Sequence, residues 1–197
     1  MFSLYLVLEE LSGQQPIFSQ RLLTVSMSDE HMDAYTEHCQ ALQETGFWGK
    51  QGAGALVLSR KTGRLLIQQR SELVLEPLTW GTWGGAVDPE ESPVEALIRE
   101  LKEEGVLLDP KGSDVYPAFV FRHPSGFTYH NFIVVVDDEF DPMITDETHA
   151  YQWTTEASLP TPLHPGLSLL LSDPNTIELI ESLRPQSHYI EYEGPSL

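Results

Sequence analysis

Between Gly85 and Leu107 the chain reads GAVDPEESPVEALIRELKEEGVL, a stretch that can bury one face only by folding as a short, two-faced helix. Ser92, Pro93 and Glu95 supply an N-cap, a proline at the first helical position and a capping-box acid three residues after the cap. Gly105 is placed to end the helix. Val94, Leu97, Ile98 and Leu101 recur at helical spacing and predict an apolar stripe laid on a core. The adjoining arc carries Glu100, Glu103 and Glu104. Like charges at these spacings each cost about a few tenths of a kcal/mol, and acids in a last turn also oppose the helix dipole. A bound cation removes both penalties. Oxygen ligands without a Cys or His cluster suit Mg²⁺ or Mn²⁺ better than zinc. A solvated acidic helix face carries the same residues, so the acids alone leave both readings open.

The upstream residues separate them. The stretch resembles the Nudix box, G-x5-E-x7-R-E-U-x-E-E-x-G-U with U an aliphatic residue. Gly85 stands at the first glycine, Glu91 at the first acid, Arg99 and Glu100 at the central pair, Leu101 at the aliphatic, and Glu103 with Glu104 at the final pair. The chain departs from the pattern twice. Its closing glycine comes one position early, as Gly105, with Val106 in the glycine slot and Leu107 last; and Trp83 precedes the paired glycines where a proline often stands. The resemblance implies an α/β (α+β) fold, a sandwich of a mixed sheet between helices. It also implies a hydrolase that cleaves the pyrophosphate of a nucleoside diphosphate linked to another group, with Mg²⁺ or Mn²⁺ as cofactor. By position, Glu100, Glu103 and Glu104 with the Gly85 carbonyl become metal ligands, and Glu91 and Arg99 a supporting ion pair. The proton acceptor from water falls on a box glutamate, Glu103 or Glu104, or on Glu147 in TDETHAYQW, on a loop before a strand near Tyr151 to Trp153. ADP-ribose, a nucleotide sugar, a dinucleotide and a damaged nucleoside triphosphate all satisfy this reading. A nucleotide-sensing module that keeps the fold without turnover is the alternative, as is an interaction protein working through its N-terminal part.

Thirty acids against eleven bases leave a formal charge of −19, which disfavours nucleic-acid polymers and anionic membranes as partners but not a small metal-chelated nucleotide. The lone Cys39 excludes an internal disulfide framework and suits a reducing, cytoplasmic setting. The apolar opening MFSLYLVLEE lacks a basic start and meets Glu9 and Glu10 early, so it is not read as a signal peptide.

Residues 1–50 are read as an extension, 51–185 as the catalytic domain and 186–197 as an irregular tail. Within the extension, strands are expected at 2–9 and 17–26, then a helix behind Ser28 with Met32, Tyr35, Cys39 and Leu42 inward and Gly46 at its end. This part suits an edge cover, a homodimer contact or a nucleoside-pocket wall. A hairpin turning at Lys61-Thr62-Gly63 begins the domain, and Gly52-x-Gly54 inside its first strand is a weak phosphate-loop signal. Strands follow at 115–122 and 127–136, then the acidic run from Asp137 to Asp141, taken as solvated, and helices at 164–171 and 174–183. As substrate contacts the best candidates are Trp83, beside the paired glycines, for a base, and Arg122 for a phosphate or ribose; Trp80, Tyr129, Trp153, His123 and His130 follow. His164 reads as a helix-start residue.

Overall fold

A computed structural model describes residues 29–185. The strands expected at 2–9 and 17–26, the Ser28 cap and the tail from 186 lie outside the described residues.

The apolar run after Gln51 becomes β1 (Gln51–Ser59), in which every residue but the first is buried. Such two-sided burial belongs to a strand covered on both faces. β1 turns at Gly63, in the left-handed region at φ +69°, into β2 (Leu65–Arg70). Two short strands follow, β3 (Trp80–Gly81) and β4 (Trp83–Ala86), then helix α2 (Pro93–Glu103). Next come β5 (Ser113–Arg122), β6 (Thr128–Val136) and β7 (Thr148–Thr154). Helices α3 (Pro165–Leu170) and α4 (Pro174–Leu183) complete the described chain, which α1 (Asp29–Thr45) opens. The sheet has seven strands in the order β3-β2-β1-β6-β5, with β4 added to β1 and β7 to β2. β1 and β6 run parallel, from Gln51 opposite Thr128 to Ser59 opposite Val136, and the remaining pairs are antiparallel.

Alternation along β1 divides the core in two. Ala53, Ala55 and Val57 pack with Leu97 and Leu101 of α2, while Leu56 and Leu58 pack with Leu167, Leu170 and Ile180 of α3 and α4. The fold is therefore a mixed sheet with helices on both faces.

Several expectations need correction. In α2, Leu97, Leu101 and Ala96 are fully buried, but Val94 and Ile98 are 41% and 52% exposed; the helix seats a narrower face than the predicted stripe. Trp83, Gly84 and Gly85 form strand β4, opposite Ala55, Gly54 and Ala53. Gly52-x-Gly54 cradles no phosphate: a Cβ at Gly52 would lie 2.5 Å from the Tyr129 ring and one at Gly54 2.1 Å from its hydroxyl. The glycines clear a path for Tyr129 across β1. The acidic run is the largely exposed loop expected, and its acids are also ion-paired, with Arg60 on Asp137, Lys61 on Asp138 and Arg64 on Glu139. Among the described side chains of α1, His38 and Ala41 are buried and Cys39 and Leu42 half-buried, while the expectation for Met32 and Tyr35 lies outside them. Gly46 ends that helix at φ +80°. His38 abuts the box loop, its Nε2 3.6 Å from Asp88, and Phe47 stacks on Phe127 at 4.2 Å.

Candidate active site

The cap of α2 forms as the local residues dictate: the Ser92 hydroxyl accepts from the Glu95 N–H at 3.3 Å, and the Ser92 N–H donates to the Glu95 carboxylate at 2.9 Å. At the other end Glu104 is the C-cap and Gly105 takes φ +83°. The Val106 N–H reaches the Leu101 carbonyl at 2.7 Å and the Gly105 N–H the Lys102 carbonyl at 3.2 Å, the paired bonds of a Schellman end. Val106 and Leu101 then meet in the core. The early glycine thus ends α2 in a defined way; a Cβ on it would meet the Met143 carbonyl at 2.1 Å.

This geometry delivers the three glutamates to unlike surroundings. Glu103 is exposed, Glu100 half-buried and Glu104 only 6% exposed. Glu104 receives the Gly84 N–H at 2.6 Å on one oxygen and the Gln68 amide at 2.8 Å on the other. Gly85 lies against Glu100, where a Cβ would fall 2.5 Å from the carboxylate carbon. Arg99 forks onto Glu91 at 2.9 and 3.1 Å, donates to the Ala86 carbonyl at 2.9 Å and to Glu100 at 2.8 Å, and lies 3.4 Å from Glu103. It ties β4, the box loop and α2 into one piece.

Glu147 occupies the turn just before β7 and is half-buried. Its backbone carbonyl accepts from the Ser71 N–H at 2.8 Å. The structure brings it into electrostatic reach of all three box glutamates. Burial pushes the Glu104 carboxyl up to about 8 against the Gln68 and Gly84 hydrogen bonds, and Glu100 up to about 7 against Arg99. Glu147 is raised as well, by burial and by Glu103, with Arg70 opposing. Four carboxyls therefore share a site short of positive charge.

Arg70, at the end of β2, is the cation that sequence reasoning missed. Its Nε donates to the Leu75 carbonyl at 2.7 Å, and its charge acts on Glu147, Tyr129 and His164. A lone arginine closing an apolar strand carries no motif of its own; its strand's pairing with β7 gives it meaning. Tyr129 joins this region too, its hydroxyl hydrogen-bonded to Thr82 and pushed up to about 12 by burial.

Other candidates stand elsewhere. Trp83 is fully enclosed in the core beneath α2, so its ring has no free face for a base, which corrects the stacking expectation. Arg122 is exposed at the last residue of β5, where its charge acts on His130. Trp153 packs edge-on against Phe140 and donates to its carbonyl at 2.9 Å. His123 turns to Ser125 at 2.9 Å. His164 caps α3, its Nδ1 accepting from the Gly166 N–H at 3.0 Å.

The donor set is that of a hard cation: carboxylate oxygens, no thiol and no imidazole. Among the described residues no three such side chains already converge into a finished shell. Arg99 holds Glu100 at 2.8 Å and reaches exposed Glu103 at 3.4 Å, while Gln68 holds Glu104 at 2.8 Å. The residues fit a divalent ion by charge, burial and ligand chemistry.

The mixed sheet carries this carboxylate-bearing helix on one face, and comparison identifies the family. The model of the NUDIX domain matches residues 49–173, so the chain belongs to the Nudix family, pyrophosphohydrolases that generally use a divalent metal and act on small nucleotides. The chain is 28% identical over 131 residues to the putative 8-oxo-dGTP diphosphatase 3 of Mycobacterium tuberculosis, with 62% of this chain and 60% of that protein covered. It is 33% identical over 107 residues to the CTP pyrophosphohydrolase of Escherichia coli, covering 54% of this chain and 78% of the relative. The match thus spans about 60% of the length of the mycobacterial relative. Among solved structures, the MutT Nudix hydrolase of Burkholderia pseudomallei aligns with TM-score 0.50 at 25% identity, over 62% of this chain and 95% of its own. The M. smegmatis Nudix hydrolase RenU aligns with TM-score 0.55 at 24% identity, over 69% and 87%. No helix among the described residues is long and apolar enough to cross a membrane.

Proposed function

We propose that the chain is a divalent-metal-dependent pyrophosphohydrolase acting on a nucleoside diphosphate linked to another group, with nucleoside triphosphates as the first substrate class to try. The observation that carries this reading is that α2 sets Glu104 on the Gly84 N–H and Glu100 against Gly85 of β4, with Glu103 on the same helix end and Glu147 in electrostatic reach of all three. Relatives named for 8-oxo-dGTP, CTP and dihydroneopterin triphosphate support the triphosphate class.

In this reading Glu100, Glu103 and Glu104, with the Gly85 carbonyl, hold Mg²⁺ or Mn²⁺. The bound ion supplies charge neutralisation at the phosphates and a more acidic water. Glu147 accepts the proton of the attacking water. Its raised pKa suits that task, because a base works best when its pKa lies near the working pH. Arg70, whose charge acts on Glu147, would meet the phosphates, and Arg99 keeps Glu100 aimed by gripping Glu91 and Ala86. Gly84 and Gly85 leave the backbone bare where a side chain would strike Ala53 or Glu100. The Schellman end at Gly105 supports activity over a non-hydrolysing module, since the early glycine of the box leaves the helix end well formed.

The test is a screen of nucleoside triphosphates, including oxidised bases, and of other nucleoside diphosphate derivatives, with products resolved by ion-pairing chromatography. Hydrolysis in Mg²⁺ that stops in EDTA is expected. Nucleotide binding with no turnover of any member would overturn the reading.

A further inference from the structure

Glu104 is the most deeply buried of the box carboxylates, and its outer partner is unusually well determined. Gln68 is 1% exposed and Thr148 3%. The Gln68 Nε2 lies 3.1 Å from the Thr82 carbonyl and 2.8 Å from Glu104, while the Thr148 hydroxyl donates to Gln68 Oε1 at 2.7 Å. Chemistry forbids the opposite orientation of this amide. The Thr82 backbone carbonyl only accepts, so the –NH₂ must face it, and the same nitrogen then meets Glu104. The amide oxygen then needs a donor, and Thr148 supplies it.

Thr148 reaches Gln68 because of a bulge. β2 pairs with β7 as Gln68 with Tyr151 and Gln69 with Ala150, but Arg70 with Thr148, skipping His149. A regular ladder would set His149 opposite Arg70 and turn Thr148 to the other face of the sheet. The skipped residue brings Thr148 to the Gln68 side and carries Glu147, its chain neighbour, toward Arg70 and the box.

We infer that Gln68 and Thr148 are positioning residues: a buried relay, Thr148 to Gln68 to Glu104, holds one oxygen of Glu104 and registers the Glu147 turn against the helix. The inference rests on the reading of Glu104 as a metal ligand. Residues hydrogen-bonded behind a ligand are worth about 10- to 100-fold in metal affinity, and Thr148 acts here through Gln68 alone.

Mn²⁺ titration of the metal-free protein by calorimetry, without nucleotide, reads this directly. Gln68→Met, which keeps the volume but offers no donor, should weaken Mn²⁺ binding about 10-fold or more. Thr148→Val should weaken it by a similar factor, and Thr148→Ser should restore binding to within about twofold of the original, since it keeps the hydroxyl. Adding Thr148→Val to Gln68→Met should cost nothing further, because the relay is already cut. Melts in EDTA establish that each variant is folded; if Thr148→Val is not, Gln68→Met and Thr148→Ser carry the test. Wild-type Mn²⁺ affinity in folded Gln68→Met, or additive losses in the double variant, overturns the relay. Glu104→Gln separates the two readings: if it binds Mn²⁺ like the original protein, the metal-ligand assignment itself fails, whereas loss in Glu104→Gln with none in Gln68→Met sinks only the relay.

Discussion

At the scale of single residues, neighbouring glutamates differ because their surroundings differ. Glu103 looks into solvent, Glu104 is enclosed beneath Gln68 and Gly84, and Glu147 enters from the turn before β7. If Glu104 binds the ion, Glu104→Gln should lower kcat/KM by at least about 100-fold, since a lost ligand removes several kcal/mol of transition-state stabilisation. The same substitution sets an amide donor against either the Gly84 or the Gln68 donor, so the stability read by the melt in EDTA should fall by about 1–3 kcal/mol, the cost of one unpaired buried donor. Glu147→Gln should cut kcat by about 10²- to 10⁴-fold with Mn²⁺ affinity nearly unchanged, as expected of a proton acceptor. A loss under threefold would return the base to the box. Steady-state kinetics paired with calorimetry read both. Arg70 belongs to this scale too, and nothing local to its sequence announces it.

At the scale of elements, α2 is half anchored. Leu97 is sealed in the core while Ile98, next in sequence, is 52% exposed. Leu97→Ala should cost about 2–5 kcal/mol and Ile98→Ala within about 0.5 kcal/mol, as chemical denaturation would measure. Equal losses would put Ile98 back in the core-facing stripe. α3 offers a pH-dependent element. Burial, aided by Arg70, pushes the His164 imidazole down to about 4, and its unprotonated Nδ1 caps the helix. Below pH 6.5 the unfolded chain takes up a proton that the folded form refuses, so this contribution, full above that pH, is lost as pH falls toward 4. His164→Asn keeps a capping oxygen without the titration. Its melting temperature should therefore fall less than the original protein's between pH 7 and 4.5; parallel declines would contradict the assignment.

At the scale of the whole molecule, charge dominates. The chain carries −19, and while the turn after β1 spends Arg60, Lys61 and Arg64 on the acids following β6, the box and Glu147 retain an excess of carboxylate. Binding Mg²⁺ should then stabilise the fold as well as enable chemistry. At about 100 times its Kd a ligand adds about 2.7 kcal/mol, which for a chain of this size raises the melting temperature by about 5–10 °C. Differential scanning calorimetry in Mg²⁺ and in EDTA checks this; Glu104→Gln should show a smaller rise.

What could be read from the sequence was whatever short range decides. Ser92, Pro93 and Glu95 cap a helix wherever they stand together, Gly105 ends it, and the spacing of Glu100, Glu103 and Glu104 follows from the helical repeat. Lys61 to Gly63 turn the first hairpin for the same reason, and the strands after the box and the two C-terminal helices lie within a residue or two of where alternation and periodicity put them. Long range decided the rest. Trp83 looked available beside its glycines until strand pairing enclosed it, and Gly52 and Gly54 looked like a phosphate loop until β6 laid Tyr129 across them. The skipped His149 in β7 leaves no trace in composition or period, because a bulge exists only relative to a partner strand. Yet that bulge turns Thr148 toward Gln68 and brings Glu147 to the box. The helix could be written locally; the site it serves exists only where β2, β4 and β7 converge on it.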